Sequence, residues 1–313
     1  MHIGLSIITP HKDDINGIFE IYNSLKNQTS TDWQWIIIDD LSSEISRTKL
    51  IEFQSQINAD NIKIIYNQVN LKAGPSRNEG LQYASFENIV FLDSDDFITE
   101  KFVQNRLIRI NDFTAFLNIK TKNTNGEIGN YSTIKENFLD NYLKAKFAWQ
   151  TSSVVWDKNF LLSIGGFNPN LELLEDVELI IKGLLSSNKF ETIDNQEIDF
   201  YYFSQPLTIQ KRNFSKVEKS VTAFLDAILS KHEVSGKQIK YLSGYYFLAV
   251  KYICRFSEFD KLDLLSANCK LFYNHKIFNF FQFFIANLLI ILKKKQLVST
   301  NLFLKINRYL YKQ

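Results

Sequence analysis

With two cysteines and four prolines in 313 residues, the chain is poor in the residues that staple or break a fold. Cys254 and Cys269 stand apart, with no CxxC pair and no run of His and Cys, so neither a disulfide framework nor a structural zinc site is supported. An excess of one charge is also missing: 36 basic against 34 acidic residues leave +2, which removes the electrostatic argument for nucleic acid as the main partner. No secretory leader is expected, because Met1-His2-Ile3-Gly4-Leu5 has no basic start and reaches Pro10 too early, and this stretch reads as a first strand. The most apolar run, Ile277 to Leu292, is shorter than the ~20 residues a spanning helix needs and is interrupted by Asn279, Gln282 and Asn287. Together these shortages point to the cytoplasm.

What is present is an ordinary globular composition, 45% hydrophobic and 22% charged, arranged first as alternating strands and helices. Ile3 to Thr9, Gln34 to Ile38, Ile62 to Tyr66 and Ile89 to Leu92 are predicted strands; Ile15 to Asn27, Arg47 to Ile57 and Gly74 to Ala84 are predicted helices. The strand runs barely alternate, as in a parallel sheet covered on both faces. Further on, Phe113 to Ile119 and Ser152 to Trp156 read as strands, Thr133 to Lys146 and Leu173 to Ser186 as helices, and everything beyond about Phe214 as helical and free of proline.

Asp93-Ser94-Asp95 closes the apolar run Asn88-Ile89-Val90-Phe91-Leu92. Residues i and i+2 share a face while the chain stays extended, so both carboxylates can reach one diphosphate-metal group, with Asp96 turned elsewhere. Hard cations such as Mg2+ or Mn2+ take such oxygen ligands. The competing reading is a capped turn before a helix near Thr99-Glu100. Ligands of parallel α/β sheets sit beyond the carboxyl ends of the strands. Thr9-Pro10, Asp39-Asp40 and Asp93 to Asp95 all fall there.

In order along the chain, Ser6-Ile7-Ile8-Thr9-Pro10, Ile36-Ile37-Ile38-Asp39-Asp40-Leu41-Ser42-Ser43, Gly74-Pro75-Ser76-Arg77-Asn78-Glu79-Gly80, Phe91-Leu92-Asp93-Ser94-Asp95-Asp96, Gly165-Gly166-Phe167 and Leu174-Glu175-Asp176-Val177-Glu178 resemble the family 2 glycosyltransferases of the GT-A fold, over roughly residues 3 to 215. The resemblance implies an α/β, Rossmann-like nucleotide-diphospho-sugar transferase domain over 1–213, followed by an α-helical C-terminal region over 214–313. It also implies a metal-dependent inverting transfer of a sugar from a nucleotide-sugar, a UDP-sugar first, to an acceptor hydroxyl in bacterial surface polysaccharide or glycolipid synthesis. The implied cofactor is Mn2+ or Mg2+.

Carried over residue by residue, the resemblance makes Asp176 the general base, Asp95 the direct metal ligand, and Asp93 a contact to ribose or metal. Asp40 matches the position that bonds the nucleotide base, with Asp39 in support or capping the helix near Ser43. Thr9 and Pro10 match the loop closing over the base, and Arg77 a basic position near the diphosphate or among ordering carboxylates. Ser94 joins the donor contacts, and Arg212, beside Lys211, matches a basic residue on a loop over the diphosphate. On the acceptor side stand Gly166, Glu175 and the aromatic face of Trp149, while Glu178 reads as a solvated helix residue. His11-Lys12-Asp13 departs from the family's aromatic and Asn after the proline, and His11 reads as an exposed loop residue.

Two other readings compete. A haloacid-dehalogenase-like phosphatase would use Asp93 as nucleophile, and a scaffold would bind a nucleotide-sugar without turnover. The apolar helix ending in Lys293-Lys294-Lys295 suits the inner face of a plasma membrane as a peripheral partner, or a buried or dimeric interface.

Overall fold

Four apolar runs form the parallel strands that their unbroken hydrophobicity predicts. In the computed structural model, which describes residues 3–57, 59–194, 197–204, 220–230 and 234–310, these are β1 (Leu5–His11), β2 (Trp33–Asp39), β3 (Ile62–Tyr66) and β4 (Asn88–Phe91), alternating with α1 (Ile15–Lys26), α2 (Glu44–Gln56) and α3 (Ala73–Leu81). Ile7, Ile8, Ile36, Ile37, Ile38, Ile89, Val90 and Phe91 are all fully buried, since layers on both faces leave no side for polar residues.

The chain continues through β5 (Phe97–Ile98), α4 (Phe102–Arg106), β6 (Phe113–Leu117), β7 (Lys120–Lys122), β8 (Ile128–Asn130), α5 (Phe138–Leu143), β9 (Val154–Asp157), α6 (Lys158–Ser163), α7 (Glu175–Ser186), β10 (Glu191–Asp194) and β11 (Phe200–Phe203). The main sheet has the order β10-β6-β9-β4-β1-β2-β3, and a smaller one the order β5-β11-β7-β8. β1 runs parallel to β2 and β4, whereas β9 runs antiparallel to β4 and β6. The carboxyl ends of β1, β2 and β4 therefore meet the amino end of β9 along one edge.

The chain divides into two compact units, Met1–Lys135 with Ala148–Pro206, and Glu136–Phe147 with Leu207–Gln313. The second holds α5, a helical stretch at 220–230, α8 (Gly236–Tyr241), α9 (Ser243–Phe256), α10 (Leu262–Asn274), α11 (Phe280–Lys294) and α12 (Thr300–Leu310). Reciprocal capping boxes start α8, with Ser235 and Gln238, and α11, with Asn279 and Gln282. The helix predicted over Thr133 to Lys146 shrinks to α5, because Asn137 (φ 51°) and Ala145 (φ 55°) both take the left-handed backbone and bound it. Among the described residues, no helix is long and apolar enough to cross a membrane.

Candidate active site

The end of β1 is built inward. Thr9 is buried, and its hydroxyl accepts a 2.9 Å bond from the Trp35 indole, so this side chain braces the sheet. Pro10 is half-buried beside Ile38. β1 runs on through His11, which is buried rather than exposed, opposite Asp39. Burial pushes its imidazole below the ordinary value although Asp39, Asp14 and Asp13 pull the other way. Asp39 is also fully buried, 4.0 Å from His11 Nε2 and 3.9 Å from Arg47 Nε. It does not cap α2: the backbone N–H of Ser43 donates to Asp13 Oδ1 at 2.7 Å instead.

Asp40 holds a loop. Its Oδ1 accepts from the Leu71 N–H at 2.7 Å and from Asn67 Nδ2 at 3.1 Å, and its Oδ2 accepts from the Lys72 N–H at 2.8 Å. Lys72 precedes α3 with φ 74°, an unfavourable backbone that these charge-assisted bonds stabilise. α3 thereby starts at the sheet edge.

Arg77, buried on α3, is the hub. Its Nη2 donates to Asp93 Oδ1 at 2.6 Å, its Nη1 donates to Glu175 Oε1 at 3.2 Å, and its guanidinium lies 5.1 Å from the Phe167 ring centre. Burial alone favours the neutral form, but Asp93 and Glu175 outweigh it and raise the guanidinium above its ordinary value. The adjacent turn is pinned from three sides. The Asp93 N–H donates to Ser152 Oγ at 3.3 Å, Ser152 Oγ donates to Asp96 Oδ2 at 2.7 Å, and the Phe203 N–H donates to Asp96 Oδ1 at 3.0 Å. Ser94 Oγ donates to Asp14 Oδ2 at 2.7 Å, which ties the turn to the start of α1. Asp96 is buried, whereas Asp93 and Asp95 are half-buried.

Gly165-Gly166 reverses the chain toward α3. Gly166 has φ 57°, and a Cβ there would stand 2.5 Å from Asn78 Oδ1, so glycine is required on both conformational and steric grounds. Asn78 clamps the next residue: its Nδ2 donates to the Phe167 carbonyl, and its Oδ1 accepts from the Phe167 N–H, each at 2.8 Å. Leu174, in the left-handed region at φ 65°, then starts α7, whose first residues are Glu175 and Asp176.

The resulting pocket is strongly acidic. Burial, then Asp176, pushes Glu175 up to about 7 against the pull of Arg77. Burial likewise raises Asp176, with Arg77 opposing, and it raises Asp96 far more, with Asp93 and Asp95 adding to it. Burial, followed by the charges of Asp96, Asp95, Asp93 and Asp176, raises the Tyr202 hydroxyl. Tyr131 meets Tyr202 edge-on at 5.6 Å and accepts a 2.8 Å bond from Gln150 Nε2.

The structure thus gathers Arg77, Asp93, Glu175 and Asp176 into one electrostatic cluster, with Asp95 on the same turn and Gly166 clamped to α3. Trp149 is a correction: with 1% of its surface exposed, its ring packs in the interior and offers no face to a sugar. Glu178 is another, being buried with Lys182 Nζ at 3.5 Å. Arg212 lies outside the described residues. Ser152, Asn78, Asp14 and Tyr202 were missed. Only Asn78 carried a sequence signal, as the neighbour of Arg77. Among the described residues, no three His, Cys, Asp or Glu side chains form a ready-made metal cluster.

Residues 6–167 match the family described as Glycosyl transferase family 2. WfgD of Escherichia coli, a UDP-Glc:alpha-D-GlcNAc-diphosphoundecaprenol beta-1,3-glucosyltransferase, is 26% identical over 250 residues, which are 79% of this chain and 94% of that protein. TarS of Staphylococcus aureus, a poly(ribitol-phosphate) beta-N-acetylglucosaminyltransferase, is 25% identical over 205 residues, 63% of this chain but only 35% of that longer protein. Among solved structures, TarS 1-349 in complex with UDP has a TM-score of 0.55 at 20% identity, covering 77% of this chain and 70% of that one. The mannosyltransferase PcManGT from Pyrobaculum calidifontis, in complex with GDP-Man and Mn2+, has a TM-score of 0.57 at 10% identity, covering 98% and 84%. These likenesses show the GT-A fold.

Proposed function

The chain belongs to glycosyl transferase family 2 and is a glycosyltransferase; from that premise we propose that it transfers a sugar, with inversion, from a UDP-sugar to a hydroxyl of a lipid-linked glycan of a bacterial surface polymer. The observation that carries this reading is the Arg77 bridge. One buried guanidinium joins the turn of Asp93 to the helix start at Glu175-Asp176, so donor-side and acceptor-side acids share a pocket. Family membership and the position of Asp93, at the fourth strand and bonded to Arg77, both weigh against an Asp93 nucleophile.

The chemistry follows from the charges. The acceptor oxygen attacks the anomeric carbon from the face opposite the diphosphate, Asp176 takes the hydroxyl proton, and the broken C–O bond leaves its electron pair on the diphosphate. Burial holds Asp176 above its ordinary carboxylate value, which makes it a better base than a solvated aspartate. Glu175, near 7, orients the α7 start through Arg77. Asp40, engaged with the Leu71 and Lys72 backbone, positions the loop beside the base while keeping lone pairs for it.

The donor set fits a hard divalent cation. Asp95 and Asp93 would supply carboxylate oxygens, and Mg2+ or Mn2+ is commonly held by one or two carboxylates plus substrate phosphates. A protein cluster of three ligands is then unnecessary. Bound there, the cation supplies neutralisation of the leaving diphosphate. UDP with Mn2+ is expected to raise the melting temperature, by about 2.7 kcal/mol of stabilisation at a hundred times Kd. Asp95→Ala should remove the Mn2+-dependent part of that rise. GDP and dTDP serve as comparators, and a larger rise with either would reject the UDP assignment.

The acceptor class rests on α11. Phe280, Phe281 and Phe284 are 68%, 65% and 56% exposed, and Leu288 and Ile291 extend the same face. Lys293 folds back onto Thr300 at 2.9 Å and Lys294 pairs with Asp263, which leaves the exposed Lys295, at the end of the helix, for anionic headgroups. The full chain should sediment with vesicles of phosphatidylglycerol at low salt, and Phe280→Glu/Phe284→Glu should stay in the supernatant. A soluble wild-type chain that elutes as a dimer would assign this face to a second copy instead.

A further inference from the structure

Among the described residues, the second unit contains a cavity of about 290 Å3 whose wall holds the cations Lys144, Lys146, Lys251 and Arg308 and the rings of Tyr241 and Phe247, and no carboxylate. Across the whole chain acids and bases nearly cancel, so this is a local excess. Among the described residues, none of the four cations lies within 4.0 Å of a carboxylate. Their positions are built into the backbone. A Cβ on Gly244 would stand 2.4 Å from the Lys144 carbonyl, so α9 touches the end of α5 only because residue 244 is glycine. Ala145, at φ 55°, turns the chain between Lys144 and Lys146 so that both line the cavity.

Two of the ammonium groups stand over aromatic rings. Lys144 Nζ stands 3.8 Å from the centre of the Tyr241 ring, and Lys251 Nζ stands 5.6 Å from that of Phe247. Partial burial and then the nearby Arg308 pull the Lys251 ammonium below its ordinary value. The volume is at the small end of ligand pockets, which run about 300–1,000 Å3. It suits a compact, multiply charged anion with an apolar stem against the rings, and ammonium groups bind phosphate as point charges.

We propose that this cavity binds a phosphate or diphosphate group, a second anion site distinct from the acidic pocket of the first unit. The group can belong to a lipid headgroup or to a soluble phosphate ester, since both present the same oxygens. The proposal stands independently of the transfer reaction.

Calorimetry on the full chain at constant ionic strength, with inorganic pyrophosphate and with a short-chain phosphatidic acid below its micellar concentration, tests it. Lys251→Glu/Arg308→Glu should weaken binding of at least one probe about tenfold or more, the loss expected for a charge-assisted contact. Lys251→Arg/Arg308→Lys should keep it, with both melting temperatures near that of the wild type. Should the charge-reversed chain fail to fold, Lys251→Gln/Arg308→Gln gives the same reading. Stronger binding of the phosphatidic acid assigns a lipid source, and stronger binding of pyrophosphate a soluble one. Affinities for both probes that the charge-removing substitutions leave unchanged, or no binding of either probe to the wild type, would overturn the site.

Discussion

Asp176→Asn should reduce transfer by about 10²–10⁴-fold while UDP-sugar affinity stays close to that of the wild type. The amide keeps the shape and the place at the first turn of α7 but cannot accept the acceptor's proton. A loss confined to turnover is the signature of an interaction made in the transition state. The expectation depends on Asp176 being the acid that faces the acceptor. Its neighbour Glu175 is committed to Arg77 at 3.2 Å, and Asp93 is held by the same guanidinium at 2.6 Å. Calorimetric donor binding beside steady-state turnover separates the two effects. Turnover near the wild-type rate would remove Asp176 from the role of base.

Arg77→Leu should be the most destabilising single change in the site, costing on the order of 3–5 kcal/mol, because it strands two partly buried carboxylates without their common counter-ion. Its pH dependence has a definite sign. In the wild type, Glu175 rises from an ordinary 4.5 to about 7 on folding, so between these values the folded state binds the extra proton. That contribution is fully present below 4.5 and is lost as pH rises through about 7. Without Arg77, which pulls Glu175 down, the carboxyl moves further up and the folded state carries the proton at neutral pH. The deficit of the variant should therefore be smaller at pH 5 than at pH 8, as read by denaturant unfolding. A deficit that grows toward acid pH would contradict the charge arrangement.

The strands were legible because burial on both faces demands unbroken apolar runs, and Ile62–Tyr66 in particular falls where the pattern puts it. The acidic edge was legible for a topological reason: parallel strands bring Asp39-Asp40 and Asp93 to one side however far apart they lie in the chain. Side-chain direction was harder to read. Thr9 turns inward because Trp35 needs an acceptor for its buried indole, a demand set by a strand 26 residues away. His11 and Asp39 are buried together because β1 and β2 both run past the predicted strand ends. Trp149 is a large apolar side chain beside a predicted acceptor site, and sequence holds no term that separates a sugar platform from core packing. The clamp of Asn78 on Phe167 joins positions 89 residues apart, and no local pattern announces it. α5 is short because two residues other than glycine adopt left-handed backbone, which composition does not foretell.

The arrangement also explains why the pocket needs so many acids beyond those that act. Asp96 and Ser152 fix the turn that presents Asp93 and Asp95, and Asp14 takes up the Ser94 hydroxyl. Each is therefore a positioning group, and the middle of α3 and the first turn of α7 bring Arg77 and Asp176 into electrostatic contact.

The most direct measurement is UDP release from a UDP-sugar by the full chain, followed with Mn2+, with EDTA, and in Asp95→Ala. Release that requires the cation and falls to background in both the chelated and the substituted protein is the predicted result. Release of equal rate in all three samples, or none with any UDP-, GDP- or dTDP-sugar in the presence of Mn2+, would contradict transfer at this site.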